Sequence, residues 1–315
     1  MTSFRFTKND YPEHYQVCFE NYLFNTTDHL QLQSSDSWML CYLVEDDKQL
    51  VHARLALHLD QEKAQSPLKA PFGGIAFSED LELQQLHFFI QSIIEELRMQ
   101  GITSLQIKHY PQGYHPTHFV KITNAFLNEG FQIVDSEIST GITIGEEAFE
   151  GKVHTWELRK LRKCRNAGFQ PIEEPIECFD TVYNIIDQGR KERGQELSMS
   201  LEELKQTVYS LRSKFHLFSV MNNNQRIACA ICIRVSEKIL YNFYSAHIKA
   251  YDNYSPAVLL FENLYNFCQK EGIEYLDLGT SAIEGKPNYS LIRFKEQIGG
   301  TSSLKLTFAK DIGHY

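Results

Sequence analysis

Between Asp80 and Gln100 the apolar residues Leu83, Leu86, Ile90, Ile93, Ile94 and Leu97 recur at helical spacing. That stripe predicts an amphipathic helix packed on a sheet, with Asp80 as its cap and Gly101 as its stop. Ile102 to Ile107 then alternates as a strand. The same order recurs downstream. Ser255-Pro256 opens a helix lined by Val258, Phe261, Leu264, Tyr265 and Cys268, Gly272 ends it, and Ile273 to Leu278 follows as a strand. A second pair of landmarks repeats at nearly the same offset. Ile122 to Glu129, Gly130 and a strand from Phe131 correspond to Ser290 to Ile298, Gly299 and a strand from Leu304 to Phe308. Gly101 and Gly272 stand 171 residues apart, and Gly130 and Gly299 stand 169 apart. One plan used twice accounts for both spacings.

Antiparallel strand signals precede each pair. They are Trp38 to Val44 and Leu50 to Leu59 in the first half, and His216 to Met221, Ile227 to Val235 and Ile239 to Ala246 in the second. Asp46-Asp47 and Asn222 to Asn224 supply the hairpin turns. Trp156 to Ala167 reads as a basic helix stopped by Gly168. The expectation is an α/β chain of two domains, 1–155 and 156–315, each a mixed, mainly antiparallel sheet flanked by helices.

A length of 315 residues suits two ordinary domains. The net charge of −9 argues against a DNA-binding protein and against one that lives on anionic lipid, without excluding a local basic surface. The start carries no apolar run after a basic region, and no stretch reaches the roughly 20 apolar residues that span a bilayer. A cytoplasmic protein with no integral membrane association is expected. Seven scattered cysteines, an odd number, fit reduced thiols. Cys229 and Cys232 lie in a strand and point to opposite faces, which disfavours a zinc or redox pair. His109, His115 and His118 match no compact ligand set, and Pro111 and Pro116 break any helix that would align them. No metal is expected.

The element order resembles the GNAT superfamily of N-acyltransferases, and the tandem form resembles the Fem family, whose members attach amino acids to peptidoglycan precursors. Tyr110-Pro-Gln-Gly-Tyr114 and Phe126 to Phe131 are similar to motifs of its first domain. Arg159 to Gly168 is similar to its basic helix ending in Gly, and Asp277-Leu-Gly279 and Phe294 to Gly299 to its C-terminal signatures. The resemblance implies two tandem GNAT-like (acyl-CoA N-acyltransferase) domains, with catalysis in the second. It implies a small-molecule or peptidoglycan-precursor acceptor and acyl-CoA or aminoacyl-tRNA as donor, so tRNA is a possible partner. The glycine loop that cradles the CoA pyrophosphate has no counterpart in His247 to Pro256, where Pro256 also removes an N–H. In the first half, Glu79 and Asp80 set negative charge at the matching helix end.

Transfer to an amine needs a deprotonated amine, a carbonyl held beside it and a donor for the oxyanion. Lys295 falls within the apolar stripe of Leu291, Phe294 and Ile298, so it should be paired, snorkelling or aimed into a cleft. In the Fem family the lysine of this Phe-Lys pair is assigned to charge stabilisation in the transfer step. By that resemblance Phe294 and Lys295 carry the catalytic role. Asp277 ends a strand that should be central; it either orients a substrate or bonds the N–H groups of the turn after it. Tyr244 either donates to substrate or packs in the core. Arg159 and Arg162, within five positive charges in seven residues, either hold phosphates or form a solvated face. The alternative function is a catalytically silent GNAT-fold ligand-binding protein.

Overall fold

A computed structural model describes residues 4–283 and 285–313. Two compact units emerge: one runs to Glu137 and takes in the chain from Leu304 onward, the other is Ile138–Ser303. These limits differ from the 155/156 boundary read from the sequence. Residues 138–155 pack within the second unit, and the last strand carries the chain back into the first. The repeat reading misses this because it follows the order of elements along the chain, whereas the units are set by which strands pair.

The first unit contains β1 (Phe4–Lys8), β2 (Gln16–Val17), α1 (Thr27–Gln33), β3 (Trp38–Glu45), β4 (Leu50–Asp60), β5 (Lys63–Ser66), β6 (Ala76–Phe77), α2 (Leu83–Met99), β7 (Ser104–Lys108) and α3 (Pro116–Asn128). The strand β8 (Gln132–Thr143) leads into the second unit. There follow α4 (Phe149–Lys152), α5 (Thr155–Asn166), β9 (Gln170–Glu174), α6 (Phe179–Lys191), α7 (Leu201–Ser210), β10 (Phe215–Asn222), β11 (Gln225–Ser236) and β12 (Ile239–His247). The chain closes with α8 (Pro256–Lys270), β13 (Tyr275–Thr280), β14 (Ala282–Ile283), β15 (Lys286–Pro287), α9 (Tyr289–Gln297) and β16 (Thr301–Asp311).

In the first unit β1, β3, β4 and β5 are antiparallel neighbours, β5 runs parallel to β7, and β16 pairs antiparallel with β7. Of the expected α2 stripe Leu86, Ile90, Ile93, Ile94 and Leu97 are buried, joined by Phe89, and pack with Leu55, Leu57, Leu105 and Phe308, whereas Leu83 is exposed. The cap differs. Asp80 sits in the preceding turn, and the helix begins under a capping box of Glu82 with Gln85. Pro116 breaks nothing either: it is the first residue of α3, where a missing N–H does no harm, and His115 caps it by accepting from His118 N.

In the second unit β9, β10, β11 and β12 form an antiparallel meander, β12 pairs parallel with β13, and β13 antiparallel with β8. Its core is built on α8, whose Val258, Phe261, Leu264, Tyr265 and Cys268 pack against Phe218, Cys232, Leu240 and Leu276. All four stop glycines of the repeat take positive φ, at 76° and 79° for Gly101 and Gly130 and at 67° and 95° for Gly272 and Gly299. The repeat is therefore written in the backbone as well as in the element order.

Gly300 shows how closely α9 is held. A Cβ there would lie 2.6 Å from the Lys295 carbonyl oxygen and 2.6 Å from Thr140 Cγ2. Gly300→Ala should lower stability by about 1–3 kcal/mol in urea titrations. Gly145→Ala, which meets open space, should stay within about 0.5 kcal/mol.

Candidate active site

The parallel pairing of β12 with β13 stops early. It holds Ile239 to Tyr275, Leu240 to Leu276 and Tyr241 to Asp277, and then ends while β12 continues to His247 and β13 to Thr280. A bulge in β12 between its partners Asn242 and Tyr244 adds to the divergence, and a second irregularity follows Asp277 in β13. The strands thus part just beyond Tyr241 and Asp277, leaving backbone groups with no ladder partner to claim them.

Lys295 reaches this point from α9. Its side chain is 4% exposed, and Nζ donates to the carbonyl oxygens of Gly279 at 2.8 Å and Thr280 at 2.9 Å. Gly279 has φ 77°, a turn that presents the two successive carbonyls to one ammonium. Two of three N–H bonds are thereby used. Burial pushes the Lys295 pKa down to about 7; the Asp277 carboxylate pulls it up, and the Arg190 guanidinium lowers it further. Asp277, itself buried, accepts from Gly279 N at 2.7 Å, the turn-bonding arrangement. Phe294 packs on the core beside Phe261, with ring centres 6.0 Å apart. It orients α9 so that the next residue turns inward.

Tyr244 reaches the connection between α6 and α7. Its hydroxyl lies 2.5 Å from Ser198 Oγ and accepts from Met199 N at 3.1 Å, while Tyr183 donates to Met199 O at 2.8 Å. The two tyrosines grip the chain between α6 and α7 from both sides of one residue. Arg159 and Arg162 lie on the exposed face of α5, where the Arg159 guanidinium sits 4.9 Å from the centre of the Trp156 ring. Neighbouring charges on this helix are partly spent: Lys160 pairs with Glu157, Arg165 with Glu150 and Glu262, and Lys163 lies over the Tyr254 ring. The structure brings Lys295 and Asp277 together at one strand end, packs Phe294 on the core, sets Tyr244 near Arg190, and leaves Arg159 and Arg162 on an exposed helix face.

Arg190 is a residue that sequence reasoning passed over. It donates to Gln195 Oε1 and to the Ser245 carbonyl of β12, past the last paired residue, and its Nε is buried without a partner. The signal was available: Phe179, Val182, Tyr183 and Ile186 mark the buried stripe of α6, and Arg190 is the next position along it.

The segment before α8, where the glycine loop was missed, is closed on itself. Tyr251, Asp252, Tyr254 and Ser255 donate their N–H groups within the turn, and Lys249 N donates to Glu192 Oε2. Arg193 and His247 both bond Asp252 Oδ1. Ser255 takes φ 55° and makes no side-chain cap, so the expected cap residue serves as a turn.

Residues 156–291 match the acetyltransferase (GNAT) domain family. FemX shares the fold over almost the whole chain, with a TM-score of 0.71, 11% identity and coverage of 93% of this chain and 92% of that one. The chain has a Fem-like tandem GNAT fold. L-PGS from Bacillus licheniformis aligns with this fold at a TM-score of 0.56 and 11% identity, covering 92% of this chain and 88% of that one. The C-terminal domain of a candidate lysylphosphatidylglycerol synthetase from Agrobacterium fabrum aligns at 0.56 and 8%, covering 82% and 81%. Curated proteins give no match. Among the described residues no helix is long and apolar enough to cross a membrane.

The depressed Lys295 pKa has a thermodynamic signature. Between about pH 7 and the ordinary value of 10.5 the unfolded chain holds a proton on this amine that the folded chain has released. Stability therefore rises with pH across that window, and the full penalty of the buried charge is felt below it. Urea titrations should show wild-type stability climbing relative to Lys295→Met from about pH 7 to about pH 10. A difference that stays flat would mean an ammonium with its ordinary pKa.

Proposed function

We propose that the second unit transfers an acyl or aminoacyl group to an amine, with Lys295 as the donor to the oxyanion. The observation that carries this reading is the donor count at Lys295: two N–H bonds are fixed on the Gly279 and Thr280 carbonyls, and the third is left for a ligand where β12 and β13 part. Two anchored bonds hold the ammonium in place before substrate arrives, which is the condition for electrostatic stabilisation without reorganisation. Phe294 sets the helix and Asp277 keeps the Gly279 turn in shape. Both act through Lys295.

In the step itself the acceptor nitrogen attacks the donor carbonyl carbon and the C–N bond forms. Negative charge gathers on the carbonyl oxygen and is met by the free N–H of Lys295. The bond from carbon to the leaving oxygen or sulfur then breaks, and the proton lost by the amine ends on that leaving atom. Lys295 begins and ends protonated.

Two donors fit this chemistry, an aminoacyl ester of tRNA and a CoA thioester. The closed turn before α8 supports the ester, because the N–H groups of Lys249, Tyr251, Asp252, Tyr254 and Ser255 are already bonded within the chain. The fold shared with FemX supports a peptidoglycan precursor as the acceptor.

Transfer should be assayed with labelled aminoacyl-tRNA or acetyl-CoA as donor and a UDP-linked muramoyl peptide as acceptor. Lys295→Met should lower kcat about 100- to 1,000-fold with KM nearly unchanged. A variant that is folded and keeps wild-type kcat would remove Lys295 from the chemistry. Absence of transfer from either donor by the wild-type chain would leave the ligand-binding alternative standing.

A further inference from the structure

Arg54 sits on the first unit's sheet with no anion beside it. It lies on β4, opposite Tyr42 of β3 and paired to Ala76 of β6. Ala53 and Leu55 point into the core, so Arg54 stands on the other face of the sheet. Aromatic rings gather there. The guanidinium is 5.8 Å from the centre of the buried Tyr42 ring, and Tyr11, 43% exposed, lies 5.4 Å from that ring.

The guanidinium is poorly served. Its Nε and Nη2 are sealed from solvent and bonded to nothing, and among the described residues no carboxylate pairs with it. Burial lowers its pKa, opposed by the Tyr42 and Tyr11 phenols. Near the β3–β4 turn, Asp46 is bonded to Arg5, and Glu45 to Lys48 and His52. An arginine cannot shed its proton, and one ring face does not replace the hydrogen bonds its five N–H groups require. A half-buried guanidinium with two unbonded nitrogens, walled by rings of which one faces solvent, has the chemistry of a site for an oxyanion carried on a flat or apolar body.

We propose that this face of the first unit binds a small ligand bearing a carboxylate or phosphate, with Arg54 as its anion contact and Tyr42 and Tyr11 as its walls. The site is independent of the transferase reading. It uses no residue assigned to the transfer step.

Calorimetric titration of the full chain, at constant ionic strength in chloride, would use acetate, benzoate, inorganic phosphate and phenyl phosphate. At least one aromatic ion should bind saturably, about threefold or more tighter than its small parent. The pair that responds identifies the anion as carboxylate or phosphate. Arg54→Met should weaken that binding about tenfold or more, and Tyr11→Ala should remove only the aromatic gain. Taking an unpaired charge off the sheet should leave the Tm of ligand-free Arg54→Met equal or higher. No saturable response from any probe, or one that survives Arg54→Met, overturns the proposal. So does a fall in Tm of about 5 °C or more in that variant, which would show the guanidinium already satisfied in the free protein.

Discussion

The second unit depends on how a single ammonium is accommodated away from water. Burying a lysine is unfavourable unless its N–H groups find acceptors. Here the acceptors are two successive carbonyls at the end of β13, available because the strand leaves its parallel neighbour and turns through Gly279. Strand, turn and helix are each shaped by this contact. Asp277 keeps the turn, Asn288 caps α9 while its own N–H bonds Ser281, and Gly300 lets the chain leave the helix over the Lys295 carbonyl. Even so the match is incomplete, with three donors facing two carbonyls and a pKa drawn down to about 7. A group held firmly yet left short of one partner suits a transient negative charge better than a permanent one.

The elements were legible wherever one periodicity ruled. The helices α2, α5, α8 and α9 and the strands β3, β4, β10, β11 and β12 are where the pattern puts them, to within a few residues. Lys295 was legible for the same reason, because a charge inside an apolar stripe is an anomaly visible in one dimension. Arg190 belongs to the same class and needed only the α6 stripe to be followed one turn further. Arg54 could not be found this way. On a strand with one face in the core, a polar residue at alternate positions is the ordinary solvated pattern, and only the rings laid over it make it unusual.

Caps and boundaries were less accessible. Asp80 and Glu82 are both plausible openings for α2, and the choice falls to Glu82 because Gln85 stands three residues on to complete the reciprocal bonds. For Tyr244 the sequence left substrate and core both open, and its hydrogen bonds to Ser198 and Met199 hold it against the α6–α7 connection. Both outcomes rest on neighbours that local sequence cannot rank.

The path of the final strand bears on how the chain reaches its native state. The first unit draws Leu306, Phe308 and Ile312 into its core and pairs Thr307 to Asp311 along β7. Those residues follow the whole of the second unit along the chain. Until they are made β7 presents an uncovered edge and the core beneath it lacks a wall, so the first unit cannot finish folding before the second has been translated.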